Sequence, residues 1–292
     1  MDASNRSRSY ALLGVLTLIW GTSFILIKQG LKVFSPDEVG SLRVVSASFF
    51  LLPVAVIQLR KVQRSDYWKL FTSGMLGVFI PAFLFATAQT RLDSSVAGIL
   101  NTLTPFFTML IGGIVFKQRF GTYAIVGMLL GFAGAVMLSL SRDSTLTGFN
   151  VYTLLIVLAC LSYGSNLNFI KFKLPDIPSI TISSVALLLV GPLALVYLFA
   201  ATEMTEKLAT VDGAWRAFGF IVLLGLMSTA VAINLSNQLV KMTSPMFASS
   251  VTYLLPIVAV MWGLVDGEQL HLGHFIGMGA IMVGVYLANR KK

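Results

Sequence analysis

Asn234 and Asn237 lie three residues apart in an otherwise apolar stretch, a spacing that puts both carboxamides on one face of a helix. Asn166, Asn101 and Gln89 are stranded among apolar neighbours in the same way, and Trp20, Ser23, Tyr163 and Tyr253 are polar or aromatic residues within apolar stretches of their own. These side chains are not reagents. Carboxamides donate and accept hydrogen bonds, and aromatic faces lie against apolar or planar groups, so the chemistry on offer is noncovalent capture of a zwitterionic or partly apolar small molecule. Burying an amide without a partner costs on the order of a few kcal/mol, so each must face protein, water or a bound molecule, and bonding between helices is the competing reading for any one of them.

Enzyme chemistry finds less support. No His-Glu-x-x-His, Gly-x-Ser-x-Gly or phosphate-cradling loop occurs. His271 and His274 sit three apart near Asp266 and Glu268, a metal-compatible spacing, but no third histidine or cysteine is near, and solvated loop residues are the expectation. Cys160 is the only cysteine, which rules out a disulfide within the chain. Neither a metal nor a cofactor is expected.

The elements that carry these residues are read from composition. The 292-residue chain is 56% hydrophobic and only 11% charged, with a mean hydropathy of +0.84, whereas soluble domains carry roughly 25% charged residues. Stretches long enough to cross a hydrocarbon core of roughly 30 Å as helix occupy 10–30, 38–58, 70–89, 94–116, 122–140, 151–172, 180–200, 216–240, 245–265 and 273–289. The runs are continuous rather than alternating, which argues against a closed barrel of strands. The expected fold is all-α and integral to the membrane, with ten spans.

The chain also repeats itself. Trp20-Gly21-Thr22-Ser23 with Lys28 returns as Tyr163-Gly164-Ser165-Asn166 with Lys171 at an offset of 143 residues; Ala97 to Pro105 is echoed by Ala248 to Pro256 at 151, and Gly127 with Gly134 by Gly277 with Gly284 at 150. Two five-helix halves, 1–143 and 144–292, follow, and an odd number of spans per half turns the second upside down relative to the first, as in many secondary transporters. Charge sets the orientation. One set of loops and span ends holds Arg6, Arg8, Arg60, Lys61, Arg64, Lys69, Lys117, Arg119, Lys171, Lys173, Lys241, Arg290, Lys291 and Lys292; the other holds Lys28, Lys32, Arg43, Arg91, Arg142, Lys207 and Arg216. The richer set belongs in the cytoplasm, and both termini go with it. The net charge of +9 is then mostly juxtamembrane base, and nucleic acid is not an expected partner. The first apolar run is read as an uncleaved span.

Trp20-Gly21-Thr22-Ser23-Phe24, Arg43, Asn101-Thr102-Leu103-Thr104-Pro105, Tyr253-Leu254-Leu255-Pro256, Gly267-Glu268 and the glycine-spaced closing helices resemble the drug/metabolite transporter superfamily, and within it the ten-span EamA family of bacterial inner-membrane exporters. The resemblance implies alternating access around a central cavity, and export of amino acids or related metabolites; drugs or nucleotide derivatives are the alternative cargo. Two departures stand out. Phe116-Lys117 replaces the Gly-Glu pair in the first half, and Leu18 stands where small multidrug relatives carry a buried glutamate. All twelve acidic residues fall at span ends or in loops, so the expectation is a uniporter or facilitator rather than a proton antiporter, unless an end carboxylate such as Glu38 faces a wet vestibule. Pro105 and Pro256 are expected to be hinges. Lys28 and Lys171 are expected either to gate the path or to complement helix C-termini. Gly127-x-x-x-Gly131 and Gly273-x-x-x-Gly277 suit close helix packing, with a homodimer as one outcome.

Overall fold

The computed structural model describes residues 3–140 and 151–265, together with Ile276, Gly279, Ala280, Val283, Gly284, Tyr286 and Leu287. Among the described residues the regular structure is helical throughout. The long elements are α1 (Ala3–Gly30), α2 (Pro36–Leu59), α3 (Arg64–Ala88), α4 (Val96–Ile114), α5 (Thr122–Leu140), α6 (Val151–Lys173), α7 (Ser179–Ala200), α8 (Ala214–Met242) and α9, formed by Pro245–Ser249 and Val251–Val265. Seven of them, α1 to α4 and α6 to α8, are long and apolar enough to cross a bilayer, and shorter apolar helices cover Thr122–Gly134 and Pro245–Val258. The span expected at 273–289 lies mostly outside the described residues. Phe49, Phe50, Ile57, Leu193, Val196 and Phe199 are exposed, the pattern of an apolar coat turned toward lipid. Trp68 and Trp215, near the starts of α3 and α8, are exposed as well, at the level where tryptophan anchors to headgroups.

Local sequence explains where the helices begin. Ser35 Oγ accepts from the Glu38 amide, and Glu38 Oε2 accepts from the Ser35 amide at 2.7 Å, with Pro36 opening α2: a complete capping box. At α9, Ser244 Oγ accepts from the Phe247 amide at 3.1 Å ahead of Pro245. Glu38 does not face a vestibule. It is 1% exposed, and Lys207 Nζ, on the short helix Met204–Thr210, donates to its Oε2 at 2.8 Å.

The halves interlock instead of lying side by side. α1 packs on α8 and α9, α6 packs on α3 and α4, and α2 runs along α7, so each of these contacts joins residues of the first half to residues of the second. Two irregularities recur as well. α3 widens into a π-helical turn at Met75–Phe79 and α8 does so at Leu224–Val231, which leaves backbone carbonyls of those turns open to other partners. α4 tightens at Asn101–Leu103, and α9 is interrupted at Ser250, where the Tyr253 amide donates to Ser250 O at 3.1 Å.

Two expectations change here, and the close packing expected at the glycines is found within the chain. Arg43, counted with the loops, is buried in α2, seven residues past its start, about 10 Å along the axis at 1.5 Å per residue. Pro105 falls in the first turn of the helix Thr104–Ile114, where its missing N–H leaves no bond unmade, so it starts a segment; Pro256 lies inside Val251–Val265. Gly131 is taken up within the chain: a methyl on it would lie 3.1 Å from the Tyr253 ring, and one on Gly284 would lie 2.4 Å from Gly131 N and 2.7 Å from Gly127 O. Gly273, Gly277, His271, His274, Asp266 and Glu268 lie outside the described residues, and among the described ones no cluster of three His, Cys, Asp or Glu could hold a metal.

Candidate functional site

The interlock leaves a cavity walled by α1, α2, α3, α4, α6, α8 and α9. Its volume is about 80 Å³, several times the roughly 10–15 Å³ that one water needs on the same measure. Trp20, Phe24, Phe85 and Tyr163 give it aromatic walls; Asn101, Asn166 and Asn237 supply carboxamides; Ser23, Thr104, Ser228, Ser236, Ser249 and Thr252 add hydroxyls. Arg43 is its one charged lining residue among the described residues.

The two π-helical turns hold the walls in place. Trp20 Nε1 donates to the Ser228 carbonyl at 2.9 Å, and Arg43 Nε donates to Thr229 Oγ1 at 2.9 Å, so the turn in α8 receives one side chain from α1 and one from α2. In α3, Ser162 Oγ of α6 donates to the Leu76 carbonyl at 2.8 Å, and Ser73 Oγ donates to Asn166 Oδ1 at 2.8 Å. A regular α-helix would have used the Ser228 and Leu76 carbonyls internally. Phe85 and Tyr163 approach with ring centroids 6.0 Å apart.

Of the nine residues expected to bind cargo, Trp20, Ser23, Asn101, Tyr163, Asn166 and Asn237 line this cavity, while Gln89, Asn234 and Tyr253 do not. Tyr253 is fully buried behind α9, with its hydroxyl 3.5 Å from the Met128 carbonyl. Its position one residue past the cavity-lining Thr252 turns it to α5, because successive helical residues point about 100° apart. Gln89 caps the end of α3 and accepts from Ser94 Oγ at 3.3 Å; its Nε2 and the Asn234 Oδ1 are buried without hydrogen-bond partners. The amides that do line the cavity also bond to protein. Asn237 Nδ2 donates to Ser183 Oγ at 3.0 Å across to α7, and Asn101 Oδ1 accepts from Thr104 Oγ1 at 3.0 Å. The same side chains thus both line the cavity and hydrogen-bond to protein.

Arg43 lines the cavity without being among the nine residues expected from sequence, although its signal is legible there: a permanent charge within a 24-residue apolar helix is a functional candidate by default. The hydroxyls of Ser228 and Thr229 carry no such signal, since their role depends on where α8 widens.

Lys171 and Lys241 meet at one end of the cavity helices. Lys171 Nζ, on α6, donates to the carbonyls of Val240, Lys241 and Thr243 at 3.2, 3.1 and 2.9 Å, the last turn of α8. Lys241 Nζ, on α8, donates to Leu174 O at 3.0 Å, Pro175 O at 2.8 Å and Ile177 O, just past the end of α6. Each lysine therefore complements the carbonyl end of the other's helix, the helix-end role of the two foreseen for Lys171. Lys28, its counterpart in the first half, is half-buried, and Arg91 after α3 is exposed. Replacing both Lys171 and Lys241 by methionine is expected to lower the apparent unfolding temperature in detergent by about 5 °C, as followed by scanning fluorimetry, with Arg91→Met leaving it within about 1 °C.

A polar and aromatic chamber between membrane-spanning helices is the architecture a small-molecule carrier requires, and comparison with known proteins gives the family. The model of the EamA-like transporter family matches residues 8–140 and again 150–290, so the chain belongs to that family. It is 25% identical to an uncharacterized transporter of Archaeoglobus fulgidus, over 98% of this chain and all of that one. It is 25% identical to the uncharacterized inner membrane transporter YedA of Escherichia coli, over 97% and 91% of the two chains. A protein of Salmonella typhimurium described as a "probable amino-acid metabolite efflux pump" is 24% identical over 96% and 95%. A protein of known crystal structure superposes with a TM-score of 0.73 over 97% of this chain and 96% of the other at 18% identity, which speaks to fold.

Proposed function

We propose that this protein is a secondary transporter of small metabolites in the cytoplasmic membrane, with both termini in the cytoplasm, and that it exports amino acids or related compounds by alternating access around the cavity described above. The observation that carries this reading is the cavity itself, because its walls come from both halves of the chain and combine four aromatic rings with three carboxamides. The interlock supports an architecture of ten spans in two inverted five-helix halves, since the partners that α1 finds in α8 and α9 correspond to those that α6 finds in α3 and α4. In an inverted repeat, cargo sits where the halves meet, and rocking of one helix group against the other exposes it to each side in turn. The efflux description attached to the Salmonella relative favours export and amino-acid-like cargo.

Asn101 and Asn166 each use their Oδ1 toward protein, and Asn237 uses its Nδ2; the opposite ends of these carboxamides orient the cargo, and Trp20 and Tyr163 lie against its body. No carboxylate lines the cavity among the described residues, which favours movement down the cargo's own gradient over proton exchange through the binding site. The test is uptake into proteoliposomes over a panel of amino acids, nucleosides and cationic drugs, with and without a pH gradient. Tyr163→Ala and Asn237→Ala are each expected to lower the initial rate for the best cargo about tenfold, near 1.4 kcal/mol of lost stabilisation, with protein abundance unchanged. Normal rates in both variants would remove the cavity assignment.

A further inference from the structure

Arg43 poses an electrostatic problem that the groups of the described residues leave open. Its guanidinium is charged under all physiological conditions, it is 8% exposed, and it lies within a membrane-spanning helix. A buried cation ordinarily has an anionic partner, because removing the charge from water is otherwise costly. The acids on its own helix are engaged elsewhere: Glu38 is held by Lys207 and the Ser35 amide, and Asp37 Oδ2 accepts from the Tyr197 hydroxyl at 3.3 Å. The elements packed against Arg43 offer hydroxyls and rings. Thr229 Oγ1 takes its Nε, and the Tyr163 hydroxyl faces its side chain. Thr229 and the Tyr163 hydroxyl are two partners for five donors, which leaves Nη donors for the planar fork that matches a carboxylate.

The rest of the cavity completes the argument. Its aromatic faces, Trp20, Phe24, Phe85 and Tyr163, suit an apolar body, and no aspartate or glutamate among the described lining residues could neutralise a cationic one. A net cation entering here would add a second positive charge beside Arg43; an anion would supply the missing countercharge.

We propose that Arg43 determines specificity: the accepted cargo carries a carboxylate and no net positive charge, with the carboxylate against the Arg43 guanidinium and the apolar body against the aromatic walls. This rests on reading the cavity as the transport site. It places organic acids and neutral zwitterionic amino acids inside the cargo class and puts cationic drugs and free amines outside it. It also assigns α8 a part in selection, because the Thr229 hydroxyl that orients the guanidinium belongs to the π-helical turn.

Calorimetric binding to the purified full-length protein, using 3-phenylpropionate, phenylalanine and phenethylamine, varies the charged groups on one skeleton. The wild type is expected to bind the acid and the zwitterion at least about tenfold more tightly than the amine. Arg43→Gln is expected to weaken both carboxylates about tenfold or more and leave the amine within about threefold, while Arg43→Lys keeps part of the preference. An amine bound as tightly as the acids, no binding of any of the three by the wild type, or an undiminished preference in Arg43→Gln each overturns the proposal. If Arg43→Gln does not fold, the wild-type order and Arg43→Lys decide it. Flux of the same compounds in proteoliposomes is scored separately: flux without carboxylate preference sinks this inference and spares the transport reading, and carboxylate binding with no flux of any panel member does the reverse.

Discussion

Gly77→Ala is expected to cut transport at least about tenfold while the protein still inserts and accumulates. A methyl at this position would lie 2.2 Å from Nδ2 and 3.1 Å from Cγ of Asn166, far inside van der Waals contact. The carboxamide cannot simply swing away, because Ser73 Oγ holds its Oδ1 at 2.8 Å and both residues lie in the buried seam between α3 and α6. Either that hydrogen bond breaks and the amide leaves the cavity wall, or the π-helical turn at Met75–Phe79 shifts and takes the Leu76 carbonyl away from Ser162. Overpacking of this kind costs about 1–3 kcal/mol, and here the cost falls on a cavity-lining amide. Initial uptake rates normalised to protein amount would measure it; a variant that transports at the wild-type rate would show that Asn166 does not act on cargo.

Gly164→Ala is expected to act on the scaffold instead. A methyl there would stand 2.7 Å from the Thr108 backbone nitrogen and 2.9 Å from the Phe107 carbonyl carbon. Main-chain atoms of a packed helix do not rotate aside, so α4 and α6 must separate. The separation would also strain Asn168, whose Nδ2 bridges Thr108 O at 2.8 Å and Gly164 O at 2.9 Å. A loss of about 2–3 kcal/mol, read as a fall of roughly 5–10 °C in the unfolding temperature and as reduced membrane abundance, is the expected result. The same change at Gly219, where a methyl meets nothing within 4 Å, should leave both within error.

The two glycines illustrate what could be read from the residues and what could not. Apolar run lengths placed the long helices closely: 38–58 against Pro36–Leu59, and 151–172 against Val151–Lys173. Six cavity residues were reachable because a polar or aromatic group in hydrocarbon must find a partner, a constraint local to the residue. Tyr253 lies outside the cavity because the offset of 151 pairs Asn101 with Thr252, which does line it, and the next helical residue points about 100° away. The widened turns of α3 and α8 were invisible. Nothing in Met-Leu-Gly-Val-Phe or Leu-Gly-Leu-Met-Ser-Thr-Ala-Val marks an extra residue in the turn, although each contains a glycine at which a methyl would strike a neighbouring helix: Gly77 against Asn166, Gly225 against the Arg43 carbonyl at 2.7 Å. Arg43 was visible but sorted with the loops, since counting charge by topology overlooks a charge inside a span.

The crossed lysines at the ends of α6 and α8 have a mechanical corollary. Because Lys171 is anchored in one helix and serves the other, and Lys241 the reverse, drawing the two ends apart strips both sets of carbonyls in the same displacement. Any separation of these two helix ends would therefore cost both sets of hydrogen bonds together, six contacts in all, rather than those of one helix alone.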